Sequence, residues 1–190
     1  MPYVAPVPDG ELPDEMAADA KGLGYVPNYF RVLAHRPEAF AAWKQLVGAV
    51  KGRMDERRYE LATLAAARRL RSSYCSLAHG KVLAEKFYSP DDVIGIASGT
   101  YPLDDVDAAV MEFAAKVAQA AWSVTQADVD RLRELGLSDE EVVDVALTAA
   151  LRSFFTKTLD SLGAQPDALF RELDPSLREA LTVGRAIADD

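Results

Sequence analysis

The 190-residue sequence contains one cysteine, Cys75, and two histidines, His35 and His79. Cys75 and His79 stand four positions apart in the stretch LRSSYCSLAHGK, from Leu70 to Lys81. On a helix, such residues lie one turn apart on the same face, close enough to interact directly or through a water. Cys75 also falls two or three residues past Ser72 and Ser73, a pair suited to a turn and a helix cap. In that first turn the unpaired backbone N–H groups and the helix dipole favour a thiolate. A thiolate is the nucleophilic form, and a neighbouring imidazole can accept or return its proton. The same spacing also suits a small buried hydrophobe beside a satisfied polar residue, the commoner fate of a lone cysteine and a lone histidine.

Glu60 extends the pattern. If helices over 55–70 and 74–87 form an antiparallel hairpin, Glu60 lies ten residues before Leu70 and His79 about six residues into the second helix. At about 1.5 Å per residue, their heights differ by roughly 6 Å, so a glutamate reaching along the groove can orient or charge the histidine. The surrounding DERRYE otherwise reads as a solvated helix face. His35, in LAHRPE, reads as a helix-end or interface residue, and Trp43, Trp122, Phe154 and Phe155 as core or interface. Tyr25, Tyr29 and Phe30 sit by the glycine–proline loop GLGYVPNYF, where aromatic rings can roof a pocket.

These residues depend on helices to position them. Pro2, Pro6, Pro8 and Pro13 make residues 1–13 an extended arm, followed by a short helix from Asp14 to about Lys21. Pro37 opens a helix with Phe40, Trp43, Leu46, Val47 and Val50 at helical spacing. MDERRYELATLAAARRL gives an amphipathic helix, and the next runs from about Tyr74 to Phe87, stopping before Pro90. SPDDVIGIA, LDDVDAAVMEFAAKVAQAA and TQADVDRLRELG give three more, and LSDEEVVDVALTAALRSFFTKTLDSLG one or two ending at Gly163. A closing helix is expected from Ser176 to Ala188, within a C-terminal segment 174–190. No segment alternates with period two, so the class is all-α, in a single domain over 1–190.

A shift of 81 positions lays ELATLAAARRLRSSYCSLAHG (Glu60 to Gly80) over EVVDVALTAALRSFFTKTLDS (Glu141 to Ser161), matching Glu60 with Glu141 and LRS with LRS. Such an echo predicts two related helical hairpins. Only the first carries chemistry, since Thr156 and Asp160 stand where Cys75 and His79 would be.

The net charge of −9 disfavours nucleic acid and anionic membrane surfaces as partners. One cysteine excludes an intrachain disulfide, and no apolar run approaches the roughly 18 residues of a membrane span. The N-terminal stretch has no signal-peptide pattern, which suits a reducing cytoplasm. Nothing in the pattern calls for a metal or cofactor. Alanine-rich helices carrying Phe, Trp and Tyr predict a homo-oligomer, with the arm and the closing helix as candidates to embrace a neighbour.

YELATLAAARRLRSSYCSLAHG resembles the signature of the alkylhydroperoxidase D and carboxymuconolactone decarboxylase superfamily: a glutamate, eleven residues, then C-x-x-C-x-x-x-H. LGYVPNYFRVLAHRPE and GLSDEEVVDVALTAAL resemble its peroxidase-related branch, so the similarity covers most of residues 20 to 165. Glu60, Cys75 and His79 fall on the motif's glutamate, second cysteine and histidine, and Ser72 replaces its first cysteine. The resemblance implies an alkylhydroperoxidase D-like helical bundle, obligate oligomers and thiol-dependent reduction of hydroperoxides. With Ser72 in place, the internal dithiol–disulfide cycle is lost, and turnover needs an external thiol reductant or a cysteine of another chain. The leading expectation is a peroxidase of small hydroperoxides: Cys75 as nucleophile, His79 handling the proton, Glu60 orienting it, Ser72 and Tyr74 lining the site. The alternatives are a cofactor-free decarboxylase or isomerase using His79 and Glu60, and a non-catalytic oligomeric redox sensor.

Overall fold

A computed structural model of the chain describes residues 2–189; Met1 and Asp190, the outer ends of the expected arm and closing helix, lie outside the described residues. The described residues form ten α-helices and no strand, the expected all-α class. They are α1 (Asp14–Leu23), α2 (Asn28–Leu33), α3 (Pro37–Lys51), α4 (Glu56–Arg69), α5 (Ser73–Lys86), α6 (Pro90–Ser98), α7 (Asp105–Ala120), α8 (Gln126–Glu134), α9 (Asp139–Ser161) and α10 (Pro175–Leu181). No helix among the described residues is long and apolar enough to cross a membrane.

The centre is α4, buried without interruption from Tyr59 to Ala67. A helix apolar on all sides must be covered on all sides. Leu61, Leu64 and Ala67 join a core with α1, α2, α3, α5, α6, α10 and the end of α9. Ala62, Ala65 and Ala66 face a second core built by α7, α8 and the start of α9. The alanines leave room for α7 to lie close against α4.

Short polar residues set the helix starts. Asp55 accepts from the Arg58 N–H at 2.9 Å, and Ser89, Thr125 and Ser138 form reciprocal capping boxes. The reversal between α4 and α5 takes only three residues. Arg71 adopts the left-handed conformation (φ 56°), with its N–H on the Arg68 carbonyl and the Ser72 N–H on the Ala67 carbonyl. That pairing is a Schellman closure, and it sets Ser72 as the cap that starts α5.

Two expectations require correction. The closing helix does not reach Ala188: α10 ends at Leu181, and the backbone extends from Thr182. The segment beyond it finds other partners, with Gly184 N–H on Ser73 Oγ at 2.7 Å and Ala188 N–H on the Pro166 carbonyl at 2.9 Å. The echo does not carry a second hairpin, because the residues aligned to the 70–72 break lie inside the unbroken α9. Without a left-handed residue or a capping partner there, the helix simply continues. Within the chain the arm and α10 are also anchored: Tyr3 N–H donates to the Leu162 carbonyl (2.8 Å), Val7 N–H to that of Arg31 (2.9 Å), and α10 packs on α5 and α6.

Gly184 lies so close to the α4–α5 turn that a Cβ built on it would sit 1.9 Å from the Arg71 carbonyl oxygen. Because that obstacle is backbone, Gly184→Ala should lower stability by about 1–3 kcal/mol, read as a fall in thermal midpoint.

Candidate thiol site

Cys75 is 2% exposed, and its N–H points at Ser72 Oγ, 3.5 Å away. The capping geometry expected of Ser72 is therefore present. The hydrogen bonds reaching Cys75 Sγ come from α9: Arg152 Nη1 at 3.5 Å and Thr156 Oγ1 at 3.4 Å. Arg152 and Thr156 are four apart, on one face of that helix. Thr156 is also the residue that the 81-position echo aligns with Cys75, so the two aligned positions touch.

Arg152 is itself 4% exposed. Its Nη2 lies 3.5 Å from the Tyr59 hydroxyl oxygen, its guanidinium carbon lies 5.7 Å from the Phe155 ring centroid, and its Nε lacks a partner among the described residues. Burial works against its charge, but the Cys75 sulfur and the Tyr59 hydroxyl outweigh burial and hold Arg152 above the ordinary guanidinium range. None of its contacts is a carboxylate. The sulfur of Cys75 is thus one of the few polar groups that meet this buried guanidinium.

Glu60, 1% exposed, accepts from Lys51 Nζ at 2.9 Å through one oxygen and pairs with His79 Nδ1 through the other. Burial pushes this carboxyl up. His79 and Lys51 more than offset that and hold it down to about 2. Burial first, and the positive charge of Arg152 second, keep His79 below the usual histidine range despite Glu60. At neutral pH the pair is thus a carboxylate and a neutral imidazole with its proton on Nδ1, which leaves the Nε2 lone pair free as an acceptor. The Tyr59 ring packs edge-on to His79 at 6.2 Å, and Lys51 lies 5.0 Å from the Tyr59 centroid. Tyr59 therefore joins the two clusters.

The expected Glu60–His79 contact is present, and Cys75 lies one helical turn from His79 on α5. Tyr74 is directed elsewhere: its hydroxyl donates to Asp167 at 2.5 Å and its ring packs on Tyr29 and Phe170. Sequence reading missed Lys51, Tyr59, Arg152 and Thr156. A signal existed in an arginine and a threonine on the apolar face of LTAALRSFFTKTL, but nothing local showed what they face. Among the described residues, no group of three or more His, Cys, Asp or Glu side chains is placed to hold a metal ion.

The sequence model of the carboxymuconolactone decarboxylase family matches residues 37–127. The chain is 27% identical to the alkylhydroperoxidase AhpD core, an uncharacterized peroxidase-related protein, of Ralstonia eutropha JMP134, with a TM-score of 0.80 over 89% of this chain and 94% of that one. An uncharacterized peroxidase-related protein of Silicibacter sp. TM1040 shares 21% identity and a TM-score of 0.79, over 90% of this chain and 94% of that one. A cysteine-to-alanine variant of the debrominase Bmp8, in complex with 2,3,4-tribromopyrrole, shares 16% identity and a TM-score of 0.75, over 93% and 96%. The last two likenesses concern the fold. No curated protein matches the chain by sequence. The resemblance expected from the sequence is thus met by the family model over residues 37–127 and by the shared fold, with a single cysteine in this chain.

Because His79 is driven below the ordinary histidine value of 6.5, its folded pKa lies under its unfolded one. The unfolded chain then binds the extra proton first, so this contribution to stability is complete above about pH 6.5 and is lost as pH falls toward the folded value. Proton NMR on a His35→Gln protein should show His79 titrating below 6.5, and Arg152→Met should raise that midpoint.

Proposed function

We propose that this chain, an alkylhydroperoxidase D-like protein with a carboxymuconolactone decarboxylase family segment, is a thiol-dependent peroxidase-like oxidoreductase acting through Cys75. The observation that carries this reading is the buried Arg152 guanidinium on the Cys75 sulfur. Arg152 and Thr156 stabilise the thiolate, which attacks the terminal oxygen of a hydroperoxide. The S–O bond forms as the O–O bond breaks. Cys75 becomes a sulfenic acid and the peroxide an alcohol, with the thiol proton delivered to the departing alkoxide. His79, oriented by Glu60, is the group that takes and returns that proton. Ser72 supplies the cap that aims Cys75. With serine there, two equivalents of an external thiol must return the sulfenic acid to the thiol, releasing a disulfide and water.

The Lys51–Glu60–His79 cluster also favours a second reading, cofactor-free acid–base chemistry of a decarboxylase or isomerase kind, in which Cys75 only fills space. Peroxide-treated protein analysed by mass spectrometry with a sulfenic-acid trap separates the two. The trap should label Cys75 at stoichiometric peroxide, and Arg152→Met should slow the labelling at least about tenfold, roughly 1.4 kcal/mol of lost anion stabilisation. An unlabelled Cys75, or an activity that survives Cys75→Ser, overturns the peroxidase reading. Labelling without turnover in the presence of small thiols indicates a redox sensor.

Homo-oligomerisation belongs to the same proposal. Val143, Leu147 and Phe154 are exposed on one side of α9, at offsets of four and seven residues, an apolar stripe that a second copy would cover. Light scattering at micromolar concentration should give at least a dimer, and a monomer would refute this.

A further inference from the structure

A cavity of about 750 Å³ lies between the N-terminal arm, α2, α3 and the end of α9. Its size is that of a small-molecule pocket, for which a range of about 300–1,000 Å³ is usual. The arm runs over it as a strap, tied by the Tyr3 and Val7 bonds described above and by the Ala5 carbonyl on His35 Nε2 at 2.8 Å. The walls are mainly aliphatic and aromatic. Polar groups interrupt them: His35 and Thr158, each with a backbone carbonyl as partner, and Trp43 and Arg36. Trp43 has a buried indole N–H with no acceptor among the described residues. Arg36, exposed at the rim, donates to the His35 carbonyl at 2.7 Å and has no carboxylate partner among the described residues.

The inner wall is a stacked pair, Trp43 and Phe155, with ring centroids 4.3 Å apart. Behind Phe155 lies the Arg152 guanidinium, and Arg152 holds the Cys75 sulfur. One aromatic layer and one side chain therefore separate this cavity from the thiol.

We propose that the cavity binds an amphipathic carboxylate, an apolar chain ending in one acid group, and that the Trp43–Phe155 stack is the gate between this ligand and Cys75. The carboxylate pairs with Arg36, and the chain fills the apolar interior against the Trp43 and Phe155 rings. Resting on the peroxidase reading, this makes the substrate a hydroperoxy fatty acid. Its terminal peroxide oxygen passes to Cys75, giving the sulfenic acid and the corresponding hydroxy acid.

Binding is tested apart from turnover. Trp122 is 89% exposed, so Trp122→Phe leaves Trp43 as the one indole reporter at little structural cost. Decanoate should then change the Trp43 emission saturably. Ala39→Phe, at an exposed position of the lining, should abolish that change by occupying the space. Arg36→Gln should weaken decanoate by about tenfold or more and leave decanol unaffected. No saturable change, or decanoate binding indifferent to Arg36→Gln, overturns the proposal. If instead Ala39→Phe changes the particle size in light scattering while decanoate never binds, the cavity is a contact between copies and the proposal fails. The gate is tested by the rate of Cys75 oxidation by a hydroperoxy fatty acid relative to hydrogen peroxide. That ratio should fall about tenfold in Ala39→Phe, and an unchanged ratio overturns the gate. A Cys75 inert to every peroxide would sink the peroxidase reading alone, since decanoate binding needs no thiol.

Discussion

The arrangement depends on one buried cation. Enclosing a guanidinium is costly unless something nearby answers its charge, and Arg152 is answered by a sulfur, a phenol and an aromatic face. For that to hold, α9 must run without a break through the middle of the molecule, and α4 must present Tyr59 to it. The tight turn at Arg71 must also begin α5 where Cys75 points at α9. Each of these is a backbone decision made outside the site.

The second cluster is balanced in a different way. Lys51 and Glu60 cancel one another, which leaves the imidazole of His79 uncharged beside the positive Arg152. A protonated His79 would set a second cation near Arg152, and the buried carboxylate keeps the imidazole oriented without requiring its charge. Elsewhere in the fold a similar group has a purely structural task. Asp107, fully buried on α7, is held by Arg57 and Arg58 of α4 at 2.7 and 3.2 Å, and joins the two helices.

Much of this was legible in the chain. Glu60 and His79 were placed side by side by helical geometry and do meet, while Cys75, one turn before His79, finds its side-chain partners on α9 instead; the helix starts were marked by Ser72, Ser89, Thr125 and Ser138. Arg152 and Thr156 were not legible in the same way, because their meaning depends on which residue faces them across the core. The echo pointed to Thr156 but suggested absence of chemistry, whereas in space that threonine supplies a hydrogen bond to the thiol. The closing segment misled for a related reason. Its helical pattern up to Leu181 was real, but the residues beyond find better partners in Ser73 and Pro166 than in another helical turn.

The unbroken α9 also determines when the site exists. The contacts that complete it join residues 77, 81 and 93 positions apart, and all of them wait for a helix near the end of the chain. Contacts of such long range form late, after the loop entropy between them has been overcome. During synthesis Cys75 leaves the ribosome well before Arg152 does, so the nascent chain carries an ordinary thiol with no guanidinium beside it. The hydrogen bonds of Arg152 and Thr156 to the sulfur arrive only with the docking of α9. The one thiol of the chain is therefore enclosed and given its partners by a single event.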